Sequence, residues 1–409
     1  MKKGLLCSVL ALLFCASSGA ADFGLLLSPS GGYGSGTDSA GFTLGGTLVP
    51  WFSASIGENM NLYLSGKLTL KGFEYGKKTW VWPPLVELGR TELSFRPTQT
   101  VYLTLGRQQF RDISGTLVSG FFDGLAGNIG LGKVRLSCGV YYTGWLYKGT
   151  AEILMTQQDN TEHSKALDYG DFLNTYPASS RMLVSVTGDF PDLSSRTSLV
   201  LSVLGQFDLN DYEDSGDAAL HSQYLAASYS VELVDPLRFT VTGVGGLMET
   251  SGMDTELCLA AIFGADWEVS GRLADMLSAK LSWGSGAVNK FIGPFRPVSG
   301  IAQGFVFTPT LSGTMNGQVS YAARLHRTLS FSTAGLVFWR TDVQTFKDTE
   351  LNGASTDRFL GTEFYGQLVW APESALHFSV GGGVFLPGGA FVADASPRWN
   401  VNMELVVSL

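Results

Sequence analysis

The chain has 409 residues, 15% of them charged, with 51 glycines and a formal net charge of −9. A typical soluble protein carries roughly 25% charged residues, so this balance argues against a soluble enzyme, and the acidic excess argues against nucleic acid as a partner. No composition break divides the chain, and of its four cysteines Cys7 and Cys15 fall in the N-terminal signal, leaving Cys138 and Cys258 to be considered for a disulfide.

The first element is a secretory signal. Lys2 and Lys3 form its basic start, Leu5 to Ala16 its apolar stretch, and Ser18-Gly19-Ala20 a small-residue cleavage site. Residues 1–21 are therefore read as removed, leaving 22–409 as one domain. A lipoprotein signal ending at Cys15 is the other reading, disfavoured because Leu12-Leu13-Phe14 lacks small residues. No later segment reaches about 18 consecutive apolar residues, the length of a membrane-spanning helix.

From Phe42 to Leu409 stretches of about ten residues alternate apolar and polar, whereas Phe23 to Pro29 barely alternates. Leu62, Leu64, Leu68 and Leu70 interleave with Asn61, Tyr63, Ser65, Lys67, Thr69 and Lys71, and Trp399, Val401, Met403, Leu405, Val407 and Leu409 interleave with Asn400, Asn402, Glu404 and Ser408. A two-residue period places one set on each face of a β-strand. Strands are predicted at about 23–29, 42–56, 61–74, 85–96, 100–110, 120–131, 134–147, 181–190, 197–209, 222–233, 237–248, 256–269, 275–284, 312–325, 328–340, 359–371, 375–386 and 398–409. Eighteen strands without intervening helices give an all-β fold, a transmembrane antiparallel barrel in the cell outer membrane with lipid around its outer face. Gly31-Gly32-Tyr33-Gly34-Ser35-Gly36 is read as a flexible loop, since it opens no helix and forms no phosphate cradle.

Links between strands alternate short and long. Short turns fall at Gly57–Met60, Pro97–Gln99, Gly132-Lys133, Asp235-Pro236, His326-Arg327 and Pro372–Ser374. Long links fall at 30–41, 75–84, 111–119, 148–180, 210–221, 249–255, 285–311, 341–358 and 387–397. Short turns belong on the periplasmic side, which puts both termini there. Trp267 and Trp370 fall at one set of strand ends, and Trp283, Trp339 and Trp399 at the other, as interface belts require. By register Cys138 faces lipid and Cys258 the interior, so both are expected as free thiols.

Eighteen strands enclose an aqueous lumen unless something fills it. Inward positions include Lys67, Lys71, Arg90, Glu92 and Arg96, with Arg107, Arg111 and Arg135 nearby and Arg324 on a later strand. Glu232, Glu256, Asp266 and Glu268 lie on the opposite wall. Such a field would favour anions; alternatively, lumen charges pair across strands, as Glu92 between Arg90 and Arg96 suggests. The 285–311 link is the oiliest, with Phe291, Phe295, Arg296, Phe305 and Phe307, and is expected to fold inward as a constriction. The acidic 148–180 link is expected to be exposed.

Catalysis is not expected, because His163, His221, His326 and His377 are scattered and no nucleophile is placed beside them. Asp208 to Glu213 fails the calcium-loop pattern, lacking the sixth-position Gly. No cofactor or metal is implied.

Two places resemble the alginate-export family of outer-membrane barrels. Leu360-Gly361-Thr362-Glu363, a polar turn at Pro372, and Phe385-Leu386-Pro387-Gly388 resemble its C-terminal strands, and Gly106-Arg107-Gln108 with Asp123-Gly124-Leu125 is similar to another pair. The resemblance implies an eighteen-stranded passive channel with Arg107, Asp123 and Glu363 on the pore side. The chain departs from the usual barrel pattern in ending on Leu409 rather than an aromatic residue.

The expectation is a porin for passive diffusion of small hydrophilic, preferentially anionic, solutes, assembled through recognition of the Trp399–Leu409 strand by the barrel-assembly machinery. The competing readings are a loop-plugged barrel serving as an adhesin or surface antigen, and a transporter of hydrophobic substrates. Inward packing of the 285–311 link would favour the channel.

Overall fold

The computed structural model describes residues 21–35, 40–75, 77–211, 218–269, 271 and 273–409, the side chains at 40, 73–75 and 77–83 apart. The signal segment lies outside the described residues. The strands are β1 (Ala21–Ser35), β2 (Ala40–Ile56), β3 (Met60–Tyr75), β4 (Lys77–Phe95), β5 (Val101–Arg111), β6 (Ser119–Leu131), β7 (Val134–Tyr142), β8 (Arg181–Ser194) and β9 (Thr197–Asp208). They continue with β10 (Leu220–Val234), β11 (Leu237–Thr250), β12 (Glu256–Val269), β13 (Asp275–Gly284), β14 (Thr314–His326), β15 (Leu329–Arg340), β16 (Phe359–Glu373), β17 (Leu376–Pro387) and β18 (Arg398–Ser408).

Every pairing is antiparallel, and β1 closes the ring by pairing with both β2 and β18. Leu25 and Leu409 exchange reciprocal backbone hydrogen bonds of 2.9 Å at that seam. Closure gives every strand two neighbours and leaves no edge strand, as a sheet that crosses lipid requires. The outer face carries exposed Leu105, Leu125, Val203, Leu225, Val241 and Phe263, while the positions between them point inward. Cys138 is exposed on that outer face and Cys258 is fully buried on the inner one.

One end of the barrel carries only short connections. Two of its turns hold Gly57 and Gly132 at φ +66° and +65°, where a side chain would strain the backbone. Both described ends of the chain lie at this end, as the pairings of Ala21 with Ala54 and of Leu26 with Ser408 show. The opposite end carries the long links.

Several strand boundaries differ from expectation. β1 runs on through Gly31–Ser35, paired with both neighbours, so that glycine-rich stretch is strand and not loop. At Gly34 a Cβ would sit 2.6 Å from the Trp399 carbonyl, so glycine there lets two backbones approach. β3 and β4 likewise run through most of the expected 75–84 link.

The 143–180 link is folded rather than simply exposed. It holds α1 (Lys148–Ala151), α2 (Gln157–Ser164), a 3-10 turn (Tyr169–Asp171) and α3 (Phe172–Thr175). Thr156 and Asp159 form a reciprocal cap at the start of α2. Leu146, Ile153, Met155, Tyr176 and Ala178 are buried, and they dock the link although its composition is polar.

Candidate functional site

The inward register supplies the wall of the site, and the 285–313 link is the candidate constriction. Leaving β13, the link bridges Leu257 of β12 at Ile292. Tyr224 on β10 donates to the Arg296 carbonyl at 2.6 Å. The Val298 N–H then reaches the Leu117 carbonyl at 2.7 Å, beyond the end of β5. Gly300 N–H donates to the Glu152 carbonyl in the 143–180 link. The chain next turns back toward β16, having spanned the lumen.

Glu363 anchors this return. Its fully buried carboxylate accepts the backbone N–H groups of Phe305, Val306 and Phe307 at 2.7, 3.1 and 2.7 Å. Three donors on one carboxylate make a strong charge-assisted anchor. Phe305 stacks on Tyr365 with ring centroids 4.4 Å apart, and Phe307 stacks on Phe385 at 4.2 Å. Gly304 permits the turn, since a Cβ there would meet the Phe307 carbonyl at 2.2 Å.

Two apolar clusters cement the link to the wall. Phe295, Val298 and Leu311 pack with Leu183, Leu204, Tyr224, Met248 and Cys258, while Phe307 packs with Leu336, Phe338, Phe385 and Phe391. Arg398 lies 5.4 to 6.0 Å from the centroids of three of these rings and is held by Asp348 and Glu350. Burial alone would push the Asp348 carboxyl up; Arg398 and the Glu350 N–H outweigh it and hold the group below the usual carboxylate range. Asp342 is held low in the same way, by Thr345, Gln344 and Ala287, and so ties the 341–358 link to the constriction.

A cavity of about 780 Å³ opens above the constriction. Arg296, Lys347 and Arg398 line it together with Glu152 and Asp348, beside Pro294, Pro297, Pro309 and Phe346. Arg398 and Asp348 are paired with each other, which leaves Arg296 and Lys347 as the cations of the rim.

The expected pore residues are distributed as follows. Lys67 is 3.5 Å from Glu87, and Arg90 is bonded to Glu92 while lying over Tyr63. Lys71 lines a wall cavity of about 510 Å³ with Gln367 and Glu404. Arg96 lies over Tyr102, and Arg135 and Arg324 are exposed. Arg111 comes within electrostatic reach of Lys280 on β13, an inward cation absent from the sequence expectation. On the opposite wall Glu232 pairs with Arg238, and Asp266 accepts from Ser278.

Three expectations are corrected. Arg107 and Asp123 are joined to each other at 2.6 Å, in the register of the outward Leu105–Leu125 pair, and are not lumen charges. Glu363 faces inward but is consumed by the anchor, so it offers no charge to a solute. Of the constriction residues, Phe291 is exposed and Arg296 half-buried, but Phe295 is entirely core.

A further cluster lay outside the sequence reading. Arg181, completely buried, bonds Asp159 at 2.6 Å and Asp208 at 3.1 Å, clamping α2 to the wall. The available signal was a lone cation opening an apolar strand, opposite Asp208 in register.

No family model matches the chain, and no curated protein matches it in sequence. Solved structures do match. The outer membrane protein OprD of Pseudomonas aeruginosa is 11% identical, with a TM-score of 0.58 over 95% of this chain and 93% of its own. OccK2 (OpdF) of the same organism, solved in complex with glucuronate, is 12% identical at TM-score 0.59, covering 95% and 98%. OpdK of P. aeruginosa, solved with vanillate, is 12% identical at TM-score 0.60, covering 95% and 98%. The fold is thus the eighteen-stranded barrel that OprD and Occ proteins share. This overturns the alginate-export resemblance. The Gly361–Glu363 and Phe385–Gly388 stretches that suggested it form the loop anchor and an aromatic cluster, and Gly361 at φ +143° packs against the Leu386 carbonyl.

Proposed function

We propose that the chain is an outer-membrane channel for passive diffusion of small hydrophilic solutes, with a preference for anions. The observation that carries this reading is the 285–313 link, drawn across the lumen and anchored on Glu363. A link spent on narrowing the barrel leaves little oily surface for adhesion, and the polar inward register offers no greasy path.

Charge supports the anion preference. Lys71, Arg96, Arg111, Lys280 and Arg296 face the lumen or its mouth, and no ion pair is seen for them among the described residues. Basic rings bias a pore towards anions. Glucuronate and vanillate, found with two proteins of the same fold, are both small carboxylates, which makes carboxylates the first solutes to try.

In this reading the short-turn end and both termini lie in the periplasm, and residues 1–21 direct export and are removed. The Trp399–Leu409 strand, which closes the ring, presents the surface that assembly machinery would recognise. The four histidines stand on separate elements (α2, β10, β14 and β17), so diffusion rather than catalysis is the expected activity.

Purified protein in a planar bilayer tests the proposal. Single-channel current and an anion-directed reversal potential under a salt gradient are expected. Folded protein that conducts nothing refutes the channel, and a cation-directed potential refutes the preference.

A further inference from the structure

The barrel wall has a flaw. β4 and β5 pair only where Thr91–Phe95 meets Leu103–Arg107. Towards the long-link end β4 keeps β3 and β5 keeps β6, but the two lose each other. Open strand edges are not tolerated in lipid, because each unmet backbone group costs several kcal/mol there.

The 143–180 link fills the opening. The Tyr169 hydroxyl donates to the Pro84 carbonyl at 2.7 Å and lies 3.2 Å from the Val86 N–H that it accepts. Arg107 donates to the Leu88 carbonyl at 2.8 Å, and Thr150 donates to Glu87 at 2.7 Å. From Pro84 to Leu88 the bare edge is met by side chains in place of a strand.

The filling has an outer face. Arg107 belongs to the outward register and yet is only 6% exposed. The Trp145 carbonyl accepts from it, and Tyr176 lies against it. Tyr169, Phe172 and Tyr176 stack in series, and Trp145 stands edge-on to Tyr142, which is outward by register. What this layer turns away from the barrel is apolar. Leu173 is 80% exposed, and Trp145, Phe172 and Tyr169 are exposed as well. They adjoin Val86 and Leu88, which are both exposed on the lipid-facing surface of β4.

We infer that Trp145, Tyr169, Phe172 and Leu173 are embedded in the outer leaflet, so that this link completes the membrane wall where β4 and β5 part. The occupant of the surface is lipid, because the surface continues the acyl-facing belt without a break. Tyr and Trp, apolar with one polar tip, suit the boundary between chains and headgroups. The inference rests on the membrane reading above and extends it to a segment that sequence composition assigns to water.

Site-directed spin labelling tests it. Cys138 is replaced by serine to remove its exposed thiol, and single cysteines are introduced as Leu173→Cys, Val86→Cys and Met253→Cys. Met253 is exposed in the link between β11 and β12 and reports water. Each labelled full-length protein is placed in phosphatidylcholine vesicles and probed with oxygen, which partitions into lipid, and with a water-soluble nickel chelate. Labels at 173 and 86 should both favour oxygen, inverting the ratio seen at 253. A label at 173 that matches 253 while 86 stays lipid-like overturns the inference alone. Nickel-favouring labels at both 173 and 86 remove the membrane reading and the inference with it. Trp145→Cys supplies a second site should Leu173→Cys fail to assemble.

Discussion

Arg181 and Asp159, both without solvent exposure, bond at 2.6 Å across the junction between β8 and α2. Asp208 completes the clamp, and Asp159 also accepts the N–H groups of Met155 and Thr156. One guanidinium thus holds a polar link against an apolar interior. Removing one partner from a buried pair costs about 3–5 kcal/mol, because the other charge is left unmet.

Arg181→Met should therefore release the 143–180 link while the barrel stays closed. Limited trypsin digestion is expected to cut near Lys165 in the variant and not in the parent. Equal resistance in both proteins would show that the apolar contacts suffice without the clamp.

Glu363→Gln replaces a carboxylate that meets three N–H groups with an amide that has one acceptor oxygen. Each lost hydrogen bond to charge is worth about 2 kcal/mol. The 285–313 link should loosen at Phe305–Phe307, and single-channel conductance should rise with added current noise. A trace indistinguishable from the parent would mean that the stacked Phe307 and Phe385 rings hold the link alone.

Selectivity should respond to which cations are paired. Neutralising Lys71 and Arg96 to glutamine removes charges with no acidic partner among the described residues, and should shift the reversal potential towards cations. Neutralising Lys67 and Arg90 as well exposes Glu87 and Glu92, so the fourfold variant should shift further. An unchanged potential in both variants would make the basic wall purely structural.

Acid should undock the 341–358 link late. The folded Asp348 carboxyl sits below its ordinary value, so its stabilising contribution is complete above the usual carboxylate range. That contribution fades only as pH falls through the lowered folded value. Hydrogen exchange across 341–358 should stay slow at mildly acidic pH and quicken only under strongly acidic conditions. Asp348→Asn should give fast exchange already at neutral pH, and a parent that loosens while its carboxylates are still ionised would contradict the assignment.

The barrel was legible because a period of two is written by every strand for itself. The count, the alternation and the outward Trp267 and Trp370 need no knowledge of neighbours. The extension of β1 over Gly31–Ser35 was not legible, since glycine-rich sequence resembles a loop until two flanking strands fix it. Arg107 was misplaced for a related reason. Its face depends on register, and its burial depends on Trp145 and Tyr176, which lie 38 and more residues away. The oil content of the 285–313 link marked it as a segment that packs rather than waves in water, but its anchor was not legible. Glu363 reads as one more lumen acid until three N–H groups are seen to converge on it.

The two apolar clusters join the 285–313 link to the inner wall, so that link is cast in solid core and not hung as a swinging flap. In the proposed channel such a gasket would admit solutes by small turns of a few rim side chains, Arg296 and Phe305 among them, while the frame stays rigid. Open-channel current should then be quiet, and permeation should be graded by solute shape and charge more than by voltage.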